Sequence, residues 1–338
     1  MFRVSIYGES HGPEIGVILD GVMPGLPLAE EDFLADILRR KSGARGTTPR
    51  LETDLPMIRS GVLDGHTTGA PLMIAFANAS TRPADYEAFR VVPRPGHADR
   101  SADLKFGGQN DLRGGGHFSG RLTLPVLAAG VVARKMLSAL YPASDWAFEA
   151  SLAEVGGVSR ETALARAASA DLPDHELWRP ELEAAAQEGD SLGGIVSCRV
   201  SGVPAGLGAP YFDSVESIVS HLLFAIPGVR GVEFGDGFAA SRMKGSAHND
   251  PWGPGGVPLK NGAGGVNGGI SNGAPLTLRV AFKPTSSIRK PQQTWDFSRQ
   301  EMTQLQVEGR HDVCFALRTP VIVETFVAVA LADLALVR

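Results

Sequence analysis

Two cysteines, Cys198 and Cys314, are all that the 338 residues contain. Disulfide frameworks and cysteine zinc sites are therefore excluded, and a reducing, cytoplasmic setting is expected. Positive charge is in deficit: 32 Lys and Arg against 37 Asp and Glu give a net charge of −5. Nucleic-acid binding through bulk charge is not expected, so an anionic ligand must be held by local arginines. No apolar run reads as a membrane span, and the opening MFRVSIYGESHG lacks the apolar centre of a signal peptide. The common nucleotide motifs are missing as well. Gly115-x-x-x-x-Gly120 has P-loop spacing, but Arg121-Leu122 follows where Lys-Ser/Thr is required, and the third glycine of a dinucleotide fingerprint falls one residue late. No internal repeat or linker composition appears, so a single domain over 1–338 is expected.

Glycine is plentiful. Its 41 occurrences exceed the usual ~7% and cluster at 107–120, 228–237 and 253–273. The richest stretch is GGQNDLRGGGHFSGRLT, Gly107 to Thr123. Three successive glycines cannot stabilise a helix or strand interior, but they suit a tight turn or close approach to a ligand. Ser119 and Arg121 come next, then an apolar, Ala-rich run to Leu140 that reads as a helix. A glycine-rich turn entering a helix N-terminus is a place where anions bind.

Around this stretch the pattern alternates between strand and helix. Residues 2–7, 14–23, 55–62, 70–76, 193–202 and 276–282 read as strands, as does a segment after 145. Helices are expected at 28–40, 122–140, 160–170, 178–188, 211–226 and 319–336. Residues 229–242 read as extended. Residues 78–105 and 245–273 read as long loops, which in compact domains are usually functional or mobile.

Four polar islands could carry chemistry. His11 lies in the turn Gly8-Glu9-Ser10-His11-Gly12 and is able to act as acid or base near neutrality. In Arg94-Pro95-Gly96-His97-Ala98-Asp99, Asp99 could orient the ring of His97 and Arg94 could bind an anion. Lys283-Pro284-Thr285-Ser286-Ser287 offers a cation and hydroxyls suited to a phosphate-bearing cofactor. Arg310-His311-Asp312 precedes the last apolar helix. Each also has a bland reading as a surface loop or Ser/Thr turn.

In order, these islands resemble the chorismate synthase family. The resemblance runs from Phe2 almost to Arg338. It rests on GESHG at 8–12, RPGHAD at 94–99, RGGG-x-x-S at 113–119 with Arg121, and GVEFGDGFAASR at 231–242. It continues through GGVNGGISNG at 264–273, KPTSS at 283–287, GRHDVC at 309–314 and PVIVE at 320–324. It implies an α+β fold with antiparallel sheets sandwiched between helices, and a homotetramer. The implied reaction is the 1,4-elimination of phosphate and a C6 hydrogen from 5-enolpyruvylshikimate-3-phosphate, giving chorismate. This is the last common step of aromatic amino acid synthesis, and it depends on reduced FMN.

By the same resemblance, His11 protonates the departing phosphate, His97 protonates or stabilises the reduced flavin, and Asp312 takes part in removing the C6 hydrogen. Arg40, Arg45, Arg94, Ser119, Arg121 and Arg310 match substrate contacts. His117, Ser119, Gly268, Lys283, Pro284, Thr285, Ser286, Ser287 and Arg310 match the flavin site. Arg40 and Arg45 are candidates for NADPH, a possible reductant. His117, Phe118 and Leu122 depart from the family's usual GGGRSSARET, replacing an arginine, a small residue and a glutamate. Three readings follow: a lyase, a flavin reductase consuming NAD(P)H, and a non-catalytic flavin- or anion-binding oligomer.

Overall fold

The computed structural model describes residues 1–47, 52–79, 83–167, 169, 171–309 and 311–337, side chains of 83–85 excepted. In chain order it begins with β1 (Arg3–Gly8), β2 (Glu14–Asp20), α1 (Leu34–Arg40), β3 (Met57–Ser60), β4 (Val62–Leu63), β5 (His66–Thr67) and β6 (Leu72–Ala77). Then come α2 (Asp99–Phe106), α3 (Thr123–Leu140), β7 (Ala147–Val155), β8 (Val158–Ser159), α4 (Arg160–Arg166), α5 (Asp174–Leu177), α6 (Arg179–Glu188) and β9 (Gly194–Ser201). The rest is α7 (Val215–Leu223), β10 (Val229–Phe234), α8 (Gly245–His248), β11 (Val266–Asn267), β12 (Ile270–Ser271), β13 (Leu276–Phe282), β14 (Gln292–Asp296), β15 (Glu301–Leu305) and α9 (Pro320–Leu336).

Two antiparallel sheets carry the architecture, in the orders β1-β2-β6-β3 and β10-β13-β9-β7-β8. Both read as half-buried strands. In β13, Leu276, Leu278, Val280 and Phe282 are buried while Arg279 between them is exposed, the period-2 pattern of a sheet with one face inward. Its partner strand follows suit, with Leu278 opposite Cys198 and Val280 opposite Val196.

The fold class is α+β, with antiparallel sheets and helices. Its layer order refines the expectation of sheets between helices. α3 packs on β2 and β6, α9 packs on β7 and β9, and the two helices pack on each other. The helix pair is thus the middle layer. The reason is in the sequence: α9 is apolar on every side, with Val321 to Ala332 buried without interruption, and such a helix has no face to give to water. Gly130 of α3 sets the crossing. A Cβ there would lie 2.7 Å from the Thr325 side chain of α9, so a larger residue would push the layers apart. Residues 120–140 do have the length and apolarity to cross a membrane, contrary to the sequence expectation, but 78% of the critical window is buried inside the fold. One connected apolar core contains residues of both sheets, α3, α7 and α9. Glu324, buried in α9, is satisfied by two hydrogen bonds from Arg39 at 2.6 and 2.7 Å and one from the Ala150 amide at 2.8 Å.

The irregular segments differ most from expectation. Residues 78–105 are not one loop: a 3₁₀ turn covers Pro83–Arg90, and α2 begins at Asp99. Asp-Arg-Ser-Ala-Asp-Leu-Lys-Phe lacks an apolar stripe, which hid α2 from periodicity. The extended reading of 229–242 holds only to Phe234, after which Gly237–Arg242 coils into a 3₁₀ turn. The β14–β15 hairpin was not foreseen.

Candidate active site

The polar islands meet at one cavity of about 730 Å³, between the N-terminal end of α3 and the residues that lead into α9. The glycine-rich stretch forms one wall. Gly114, Gly115 and Gly116 have φ of 62°, 84° and 54°, and residues 113–118 form a tight non-helical turn rather than a helix. Ser119 then caps the next turn, its hydroxyl accepting from the Arg121 amide at 3.3 Å. The GESHG turn docks behind this wall: the Ser10 amide donates to the Gly116 carbonyl at 3.2 Å. His11 is buried, its ring edge-on to Tyr86 at 5.2 Å between centroids. A side chain at Gly114 would overlap the His11 imidazole. Gly114 is therefore required for this close approach, whatever else the turn binds.

The Arg94–Asp99 segment forms the second wall. Asp99, 3% exposed at the start of α2, accepts from the Arg94 amide, Nε and Nη2 at 3.1, 2.8 and 2.7 Å. His97 Nδ1 lies 2.6 Å from Asp99 Oδ1. That spacing assigns the proton to Nδ1 and leaves Nε2 as the working nitrogen. Burial alone would raise the Asp99 carboxyl, but hydrogen bonds from Arg94 and His97 hold it well below the usual carboxylate range. Arg94 itself lies behind the wall, stacked on Phe89 at 4.5 Å and donating through Nη1 to the Ser287 hydroxyl at 3.0 Å. Its task here is to hold His97 and the KPTSS turn.

That turn is the third wall. Lys283 Nζ and the Ser286 hydroxyl both bond the Gly96 carbonyl, at 2.7 and 2.8 Å. Burial, then the charge of Arg230, pushes the Lys283 ammonium below its usual range. Thr285 Oγ1 is buried and has no partner among the described residues.

The fourth wall is a charge cluster. Arg121 pairs with Asp54 and donates through Nε to the Asn78 side chain at 3.0 Å. Arg40 lies 3.9 Å from Asp54 and bonds Thr123 Oγ1 and the Gly120 carbonyl, each at 3.0 Å. Arg318 donates to Asp312 Oδ2 at 2.6 Å. Burial, then the charges of Arg318 and Arg121, pushes the Arg40 guanidinium down to about 9 against the pull of Asp54. It remains cationic at neutral pH. Burial also pushes the His311 imidazole down, with Arg94 and Arg289 adding to it against the Glu308 backbone and Asp312. The cavity is lined by Arg40, Lys41, Arg121, Arg230, Lys283 and Arg318 against Glu52, Asp54 and Asp312. This is a cationic excess inside an acidic protein.

The chorismate synthase family model matches residues 2–336. A chorismate synthase of Chitinophaga pinensis is 53% identical over 100% of this chain and 96% of its own. The chain belongs to the chorismate synthase family. A relative from Korarchaeum cryptofilum with the same name is 44% identical over 98% of this chain and 94% of its own. A crystal structure of a chorismate synthase superposes with a TM-score of 0.72 at 26% identity, covering 98% of this chain and 90% of that one. Membership makes this an enzyme of the lyase type, acting on a small molecule in the shikimate pathway.

Within this family member, the structure gathers most of the residues singled out in the sequence. Arg40, His97, His117, Ser119, Arg121, Lys283 to Ser287 and Asp312 line the cavity. His11 and Arg94 sit directly behind it. Arg45 points elsewhere, paired with Glu183 and lying 3.5 Å from Glu176. Gly268 lies in the β11–β12 turn, away from the cavity lining. Arg310 lies outside the described residues. The departures have plain settings: Leu122 is buried at the start of the core, Phe118 lies beside Phe106, and His117 Nδ1 meets the Gly8 carbonyl at 3.1 Å. Sequence reasoning missed Asp54, Tyr86, Arg318 and the Phe224–Arg230 wall. Only Arg318 left a signal there, as a lone cation set between an apolar turn and an apolar helix.

Proposed function

We propose that this enzyme converts 5-enolpyruvylshikimate-3-phosphate to chorismate by 1,4-elimination, with reduced FMN bound in the cavity. The observation that carries the reading is the meeting of a hydroxyl- and cation-rich turn, an oriented histidine and the half-buried Asp312 around one cationic cavity. Those residues fit the flavin. Thr285 Oγ1 is an orphaned donor, Lys283 and Ser286 offer phosphate contacts, and Tyr86, Phe118, Pro284 and Phe315 supply flat apolar wall. When bound, reduced FMN would supply electron density transiently, which leaves the overall reaction redox-neutral.

The chain's own residues do the rest. Arg40 and Arg121, with Arg310 by resemblance, hold the carboxylates and phosphate, for which a planar guanidinium suits better than an ammonium. Ser119 caps the turn at the anion end of α3. His97, with Nδ1–H fixed by Asp99, would hold or release a proton at Nε2 on the cavity wall. Asp312 takes part in removing the C6 hydrogen. His11 supplies the proton to the departing phosphate from behind Gly114, where the wall carries no side chain. A hydrogen and phosphate leave together, with no net oxidation.

No observation favours the reductase reading: Arg40 lines the cavity while Arg45 faces Glu183 outside it, so the two offer no shared NADPH site. The connected core supports treating 1–338 as one domain. Exposed Tyr211, Phe212, Phe238 and Trp252 support the homotetramer implied by resemblance, and two buried free thiols suit the cytoplasm. The test is an anaerobic assay with the enolpyruvyl substrate and chemically reduced FMN, following chorismate. Folded protein that makes no chorismate defeats the reading.

A further inference from the structure

We infer that Arg318 is the positioning residue for Asp312. The inference rests on the proposed role of Asp312 in removing the C6 hydrogen. Arg318 Nη2 donates to Asp312 Oδ2 at 2.6 Å, and Asp312 is its hydrogen-bonding partner among the described residues. The side chains are 21% and 12% exposed, so water does little to screen the pair. Both line the cavity. Arg318 closes the Phe315–Arg318 turn, and Thr319 and Pro320 follow it directly into α9. It is thus fixed to the most deeply buried helix of the fold, whereas Asp312 lies in an irregular segment next to Arg310 and His311. A rigid element thus presents a directed donor to a carboxylate carried on an irregular segment.

Arg318 is a poor choice on grounds of stability. Its Nε is buried without a hydrogen-bond partner among the described residues, and an unmade bond of that kind costs free energy. Its charge is also the leading electrostatic cause of the depressed Arg40 guanidinium. An uncharged residue of similar volume would avoid both costs. What Arg318 does provide is a directed charge-assisted bond to one oxygen of Asp312. That bond holds Oδ2 in one place and so aims the other oxygen.

The test is a double-mutant cycle on the full-length enzyme: Arg318→Met, Arg318→Lys, Asp312→Asn and Arg318→Met with Asp312→Asn. Anaerobic single-turnover rates with chemically reduced FMN are compared for unlabelled and C6-deuterated substrate. Substrate and FMN dissociation constants are measured by titration, and thermal melting checks the fold. Arg318→Met should slow the single turnover about 100-fold, the scale of a misplaced reacting group. It should also raise the isotope effect, with the loss persisting at saturating substrate and FMN and with no fall in the melting temperature. Arg318→Lys should recover part of the rate, and Arg318→Met should add no loss in the Asp312→Asn background. A wild-type rate in Arg318→Met, an equal loss in both backgrounds, or a loss explained by weaker binding or lower melting temperature overturns the inference. If Asp312→Asn itself turns over at the wild-type rate, the proposed role of Asp312 fails first, and the inference falls with it.

Discussion

Arg94 lies behind one wall of the cavity and Arg318 lines another, and their surroundings differ in kind. Arg94 is saturated: its Nε and both Nη groups reach Asp99 and Ser287, and its guanidinium lies over Phe89. Arg318 reaches Asp312, keeps an unmade donor, and faces Arg40 across the cluster. A saturated buried arginine is scaffold, since it fixes other groups and has nothing left for a ligand. An under-neutralised cluster is a binding site, because its excess charge is relieved only when an anion arrives.

The largest effect should come from breaking the saturated side. Arg94→Met leaves the Asp99 carboxylate buried without its main partner, a change that typically costs about 3–5 kcal/mol. Urea unfolding should register it as a lower midpoint. A midpoint equal to wild type would show that Arg94 is not scaffold. Next comes His97→Ala, which should slow turnover by roughly 10²–10⁴-fold with the melting curve unmoved, read by stopped-flow absorbance.

A pH profile sharpens the contrast. Asp99 has a folded-state pKa below its unfolded value of about 3.9. Its contribution to stability is therefore complete above that value and lost as pH falls from it toward the lower folded-state value. Asp99→Asn should flatten this part of the acid-denaturation profile. An unchanged profile would mean that the Arg94–Asp99 pair contributes no linkage. The smallest effect belongs to Arg45, whose ion pairs with Glu183 and Glu176 are about 40% exposed on the arginine side. Arg45→Ala should change stability by less than about 1 kcal/mol. A marked loss of substrate affinity in the same variant would show that Arg45 turns from Glu183 into the cavity.

The same contrast explains what the sequence made legible. α3 and α9 could be read because long apolar runs have few other fates. β13 could be read because alternation survives in a half-buried strand. The motif residues were visible as islands, but only their resemblance to a family tied them together, since His11, His97, Lys283 and Asp312 are brought near one another by tertiary folding. Asp54 and Tyr86 stayed hidden because a single carboxylate or ring in a polar stretch has no local signature. The polar helix α2 was hidden for a related reason. It is held by Asp99, through its bonds to Arg94 and His97, rather than by an apolar stripe.

The central claim is that this under-neutralised cavity is where phosphate is eliminated from the enolpyruvyl substrate. The most direct measurement is anaerobic turnover of 5-enolpyruvylshikimate-3-phosphate by the purified enzyme with chemically reduced FMN, with chorismate and inorganic phosphate quantified together. The expected result is one chorismate for each phosphate released, with no net oxidation of the flavin. Folded, FMN-binding protein that releases neither product, or that oxidises the flavin in proportion to product, would contradict it.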